Sequence, residues 1–172
     1  MEKKFELTDK FVINAFGIKL FQIKCTKSFK YANEGDLGGY VEKEDNLSQS
    51  GDAWVSGDAQ VYGDALVSGD ARVYGNARVS GDAWVSGDAR VSGNARVENN
   101  HMHCGFDCFG SCNRHTHAYK TKGNKVEITC GCFRGNIEEF ERKVEETHSG
   151  TIYEKQYKAI INLIKIKFGI DG

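Results

Sequence analysis

The chain has 172 residues, with 23 Lys and Arg against 24 Asp and Glu and a formal net charge of −1. That balance excludes a global field drawing it to a nucleic-acid polymer or a membrane surface, so any anion binding must come from local patches. The length fits one modest domain or a repeat with small appendages, and no apolar run is long enough to span a bilayer. The start, MEKKFELTDK, lacks the apolar stretch of a signal peptide. A cytoplasmic location is therefore expected, and there the six cysteines are thiols or metal ligands rather than disulfides.

In chain order, residues 1–34 contain two apolar runs, Phe11-Val12-Ile13 and Ile18 to Ile23, around Asn14-Ala15-Phe16-Gly17. They predict a β-hairpin that caps the first coil of a repeat, with Cys25 as a small buried hydrophobe. Residues 35–48, GDLGGYVEKEDNLS, carry Val41 and Leu47 six apart, and Gln49-Ser50 then break the phase as a two-residue insertion. From Gly51 to Glu98 run eight unbroken hexads, with Gly first, Asp or Asn second, Ala third and Val fifth. Ala-x-Val-x has the strand period of two, while Gly-Asp and Gly-Asn are turn dipeptides, so each hexad is one short strand and one corner. No hexad buries its own Val. Stacked coils bury a column of them.

This phase resembles the hexapeptide-repeat proteins. The GDLGGYVE and NLS segments, together with a tail reading TCGCFRGNIEEFERKVEETH, resemble a phage and prophage group of them often labelled transferases. The resemblance implies a left-handed parallel β-helix over 35–100, with three hexads per coil and residues eighteen apart stacked. It also implies a homotrimer and, in a phage setting, the cytoplasm of a bacterial host. On that geometry one exterior column is Trp54, Arg72 and Arg90, a second is Gln60, Arg78 and Arg96, and a third is Leu66 and Trp84. The third is apolar and is the expected subunit contact.

After Asn100 the composition changes. Residues 101–172 are expected to form a small α/β module, a β-hairpin turning at Lys122-Gly123-Asn124 and then two helices. Asn136 with Glu139 and Thr151 with Glu154 read as helix starts. Ile137, Phe140 and Val144 form the apolar face of the first helix. Tyr153, Tyr157, Ile160, Ile161, Ile164 and Phe168 form that of the second.

Three chemistries are available. Many hexapeptide-repeat proteins are acyl-CoA-dependent transferases with a histidine base, but the hexads here contain no His, so enzyme activity is the lesser expectation. Cys104, Cys108, Cys112, His115, His117, Cys130 and Cys132, with His101 and His103 nearby, offer the thiolate and imidazole donors that suit zinc. Their spacing matches no standard zinc frame, and packed thiols with surface histidines are the equal alternative. The third chemistry is anion binding. Arg72 and Arg90, and Arg78 and Arg96, form ladders that either hold an anion or pair with neighbouring carboxylates. Trp54 offers a π-face above Arg72. In the tail, Ser111, Asn113, Arg114, Thr116 and Arg134 supply donors beside glycines, which suits a phosphate. The expected function is a non-enzymatic binding protein that sequesters a phosphorylated small molecule, such as a host nucleotide immune signal, at inter-subunit clefts or in the tail. A structural module recognising a host protein is the other alternative.

Overall fold

The structure, a computed structural model, describes residues 2–170. Its organising part is a parallel β-solenoid of about three turns. The chain enters through β1 (Phe5–Ile13) and β2 (Lys19–Cys25), an antiparallel hairpin, and β3 (Leu37–Val41). The hexads then give eight two-residue strands: β4 (Trp54–Val55), β5 (Gln60–Val61), β6 (Leu66–Val67), β7 (Arg72–Val73), β8 (Arg78–Val79), β9 (Trp84–Val85), β10 (Arg90–Val91) and β11 (Arg96–Val97). They stack in three parallel ladders, β4-β7-β10, β5-β8-β11 and β6-β9. Residues eighteen apart are in register, Trp54 with Arg72 with Arg90 and Gln60 with Arg78 with Arg96. Every fifth-place Val is fully buried. Backbone amides close the rungs, as in Trp54 N to Ala71 O at 3.0 Å and Arg72 N to Ala89 O at 2.8 Å. Each hexad therefore gains its stability from the rungs above and below it.

The hairpin extends one wall of this stack. β2 pairs antiparallel with β3, and β3 pairs parallel with β5. Here Tyr40 meets Gln60 and Leu47 bridges Val67, an offset of twenty residues instead of eighteen. The two extra residues are Gln49 and Ser50. The Gln49 side chain uses its freedom from the repeat to hold β1. Its Oε1 accepts from Lys4 N (2.8 Å) and Phe5 N (3.3 Å), and its Nε2 donates to Phe5 O (3.1 Å). The buried Lys4 ammonium donates to Gly51 O and Ala53 O, at 3.1 and 2.9 Å.

The chain forms two compact units, Met1–Asn100 and His101–Gly172. The second is larger in sheet than the expected hairpin. It is a four-stranded antiparallel sheet of β12 (His103–Phe109), β13 (Arg114–Lys120), β14 (Val126–Cys130) and β15 (Phe133–Gly135), with helices α1 (Ile137–His148) and α2 (Ile152–Phe168). Asn136 and Glu139 form a reciprocal capping box at α1. At α2, Thr151 accepts from Glu154 N, but the Glu154 carboxylate accepts from Gly150 N at 2.7 Å. The helices cover one face of the sheet, burying Ala118, Ile128, Phe140, Tyr157, Ile161 and Ile164 among others. No helix among the described residues is long and apolar enough to cross a membrane.

Candidate functional site

Both arginine ladders are in register, but their surroundings differ. The Arg72 guanidinium lies 4.8 Å from the Tyr31 ring centroid and 5.2 Å from that of Tyr74, which ties the segment after β2 to the second rung. Arg90 lies in register beside it and is exposed. Trp54 does not offer an open π-face. Phe29 packs edge-on against it at 5.4 Å and the indole is buried. For Arg78 and Arg96, no carboxylate among the described residues lies within ion-pair distance. The third column does carry exposed apolar surface. Trp84 is 58% exposed, and its indole N–H donates to Ser68 Oγ at 3.0 Å.

In the second unit the sheet sorts the Cys and His residues onto opposite faces. Alternation along β13 turns His115, His117 and Tyr119 to one face and Arg114, Thr116 and Ala118 to the other. On the first face, His103 Nδ1 and His117 Nε2 are 3.0 Å apart, and His115 bonds Asp107. Burial, with the nearby Lys167 charge, pushes His103 down to about 4. On the same face Tyr119 bonds Glu127, which also receives the Arg134 guanidinium at 2.6 and 3.2 Å. Arg134 therefore spends its guanidinium on a carboxylate. On the helix-covered face, Cys104 packs against the core and burial pushes its thiol up to about 11. Cys108 is exposed at a bulge in β12. Among the described residues no group of three or more His, Cys, Asp or Glu side chains is placed to hold a metal ion. The donors expected for zinc form no such group among the described residues, although Cys112, Cys130 and Cys132 line one cleft.

What the helix-covered face does assemble is a cleft of about 550 Å³. Two turns meet at its mouth, residues 110–113 between β12 and β13 and Gly131-Cys132 between β14 and β15. Thr116 pairs with Cys130, so two residues earlier Arg114 stands level with Cys132. Gly131 takes φ +59°, and a side chain there would strike Arg114. Glycine therefore lets the guanidinium lie flat on the turn. The neighbouring sulfurs of Cys112 and Cys132 raise its pKa, so it stays charged. No carboxylate among the described residues pairs with it.

The cleft wall is aromatic. Phe133 and Phe140 lie 5.0 Å apart, Tyr157 meets Phe140 edge-on at 5.7 Å, and His148 stacks on Tyr157 at 5.4 Å. Burial, then the Cys130 sulfur, pushes the Tyr157 phenol up to about 12. At neutral pH it is a donor and not a base. Cys130 sits behind it, receiving a hydrogen bond from Thr116 at 3.3 Å and lying 3.8 Å from the Tyr157 hydroxyl. Thr116 is thereby buried and committed. Asn113 takes φ +47° and makes the turn, its N–H donating to Gly110 O at 3.2 Å. Of the tail residues expected to bind an anion, Ser111 and Arg114 face the cleft with side chains not spent on a carboxylate. Arg134 borders it, and Thr116 and Asn113 serve the fold. Phe133, Lys143, His148 and Tyr157 were not expected to line a site. Phe140 and Tyr157 were read as helix core, which they also are.

The fold so described is a parallel β-solenoid carrying a small sheet-and-helix unit. Residues 59–73, 71–87 and 89–101 are similar to a family described as the YdcK beta solenoid repeat. These matches cover β5 to β11 and leave residues 1–58 and residues 102–172, where the cleft lies, unmatched. No curated protein matches the chain.

Proposed function

We propose that the protein binds, without transforming it, a small anionic molecule with a flat apolar body, and that the cleft of residues 101–172 is the binding site. A phosphorylated aromatic compound such as a nucleotide fits that description. The observation that carries this reading is Arg114, a guanidinium without a carboxylate partner, set at the mouth of an aromatic-walled cavity. Its charge anchors the phosphate, and Tyr157 and Ser111 are available as donors, with Lys143, paired to Glu146 at 3.4 Å, at the rim. The ring of the ligand packs against Phe133 and Phe140.

On this reading the solenoid is a rigid support. We take it to be the left-handed coil of hexapeptide-repeat proteins, in keeping with the eighteen-residue stacking. We take Leu66 and Trp84 to be the contact of a homotrimer, because an exposed indole column suits a self-association face. Sequestration of a host nucleotide signal by a phage-type protein is the biological version of this reading.

The test is a melting-temperature screen of the full chain against mononucleotides and cyclic dinucleotides, with the ligand recovered and weighed by mass spectrometry. A stabilised, unaltered ligand whose effect disappears in Arg114→Ala is the expected result. A panel with no shift, or a shift that Arg114→Ala leaves intact, removes the proposal. Light scattering of the purified protein, with Trp84→Ser as the interface variant, tests the trimer separately.

A further inference from the structure

We infer that Cys132 and Cys112 form a thiol–disulfide exchange pair that takes small anionic disulfides at the mouth of the same cleft. Three sulfurs enter this cavity, and the structure gives them different parts. Cys130 is buried and held between Thr116 and Tyr157. Cys112 and Cys132 are exposed. They lie in the two neighbouring turns and line the cleft together with Arg114. A thiolate is the attacking species in exchange, and a cation at the cleft mouth attracts an incoming anionic disulfide. Arg114 draws an anionic disulfide, and the aromatic wall beside it holds its body.

The steps balance. The Cys132 thiolate attacks one sulfur of R–S–S–R, the S–S bond breaks, and R–S⁻ leaves with the proton that Cys132 gave up. The product is Cys132–S–S–R. The Cys112 thiolate then attacks Cys132 Sγ, expelling the second R–S⁻, which takes the Cys112 proton. Two protein thiols are oxidised to one disulfide while the small disulfide is reduced to two thiols. The new bond joins the two turns across Arg114. The inference rests on the same cleft as the ligand proposal, but its readouts, thiol release and a peptide cross-link, are separate from a shift in melting temperature, so the two can fail separately.

The test uses the full chain and one equivalent of dithiobis(nitrobenzoate), a dianionic aryl disulfide. The expected result is release of two aryl thiolates per protein and a peptide map showing a Cys112–Cys132 cross-link. In Cys112→Ser, one thiolate is released and the aryl adduct stays on Cys132. Cys130→Ser leaves the reaction in place. Arg114→Gln slows the dianionic reagent about tenfold and slows cystamine, a dicationic disulfide, much less. Cys108, exposed and outside the cavity, is the internal standard. Equal labelling of Cys108 and Cys132, absence of the cross-link, or equal slowing of both reagents by Arg114→Gln overturns the inference. So does loss of the reaction in Cys130→Ser with its retention in Cys132→Ser. Circular dichroism of each variant separates a chemical effect from misfolding.

Discussion

Two glycines at one corner of the solenoid separate the cost of backbone shape from the cost of coil contact. Gly69 and Gly87 have nearly the same φ, +66° and +63°. A methyl group on Gly69 would meet Gly87 N at 2.9 Å and Gly87 Cα at 3.3 Å. On Gly87 it would meet nothing within 4 Å. The left-handed backbone costs an L-residue about 1–2 kcal/mol, and this term is common to both sites. Crowding against a backbone that cannot rotate away adds about 1–3 kcal/mol at Gly69 alone. Gly69→Ala is therefore expected to destabilise the solenoid by about 2–5 kcal/mol, and Gly87→Ala by about 1–2. The assay is urea unfolding monitored by tryptophan fluorescence. The two tryptophans, Trp54 and Trp84, both lie in the repeat and so report on the solenoid itself. Equal midpoints for the two variants at unchanged slope, or a larger loss at Gly87, would refute the claim that the coils touch at this corner.

Lys4 is pushed down from 10.5 to about 8, chiefly by burial. Between those values the unfolded chain binds more protons, so stability rises with pH there and is lost as pH falls through about 8. Its size is at most about 3 kcal/mol, and Lys4→Met should flatten the slope of urea midpoint against pH over that range. His103 behaves likewise at lower pH. Its contribution is present above about 6.5 and disappears as pH falls through about 4, so His103→Gln should reduce the acid sensitivity of the second unit, read by near-ultraviolet circular dichroism. Val73 is fully buried between Val55 and Val91, and Val73→Ala should cost about 2 kcal/mol in the same fluorescence assay. Asn136→Ala, which removes the cap of α1, should cost about 1 kcal/mol, with Asn136→Asp restoring most of it.

The solenoid was legible because each hexad states its own constraints. Gly at the corner and Val inside come from six residues, and stacking comes from the repeat. The offset at Gln49-Ser50 was equally readable as a break in phase, though its role in gripping β1 was not. The second unit was less legible. β12 is broken by a bulge between Phe106 and Phe109 and β15 is three residues long, so neither shows the unbroken alternation that marks a strand, and the four-stranded sheet was expected as a hairpin. Which face each cysteine takes depends on register between strands, and no spacing along the chain contains it. Cys130 and Cys132 stand among the donors expected for zinc. The Gly131 turn instead buries one and exposes the other. Arg114 stood in the sequence as one donor among five, and Glu127 and Cys130 decide which of the other four are already engaged. Trp54 fell to the same kind of long-range event, since nothing near it in sequence announces Phe29.

The eighteen-residue register also limits how such a chain can change length. Three hexads added together would return the backbone to the same wall and leave β1–β3 and the grip of Gln49 untouched. A single added hexad would deliver the last strand to a different wall, so the chain beyond Asn100 would start from a new direction. Growth of this solenoid is therefore quantised, and the step is a whole turn.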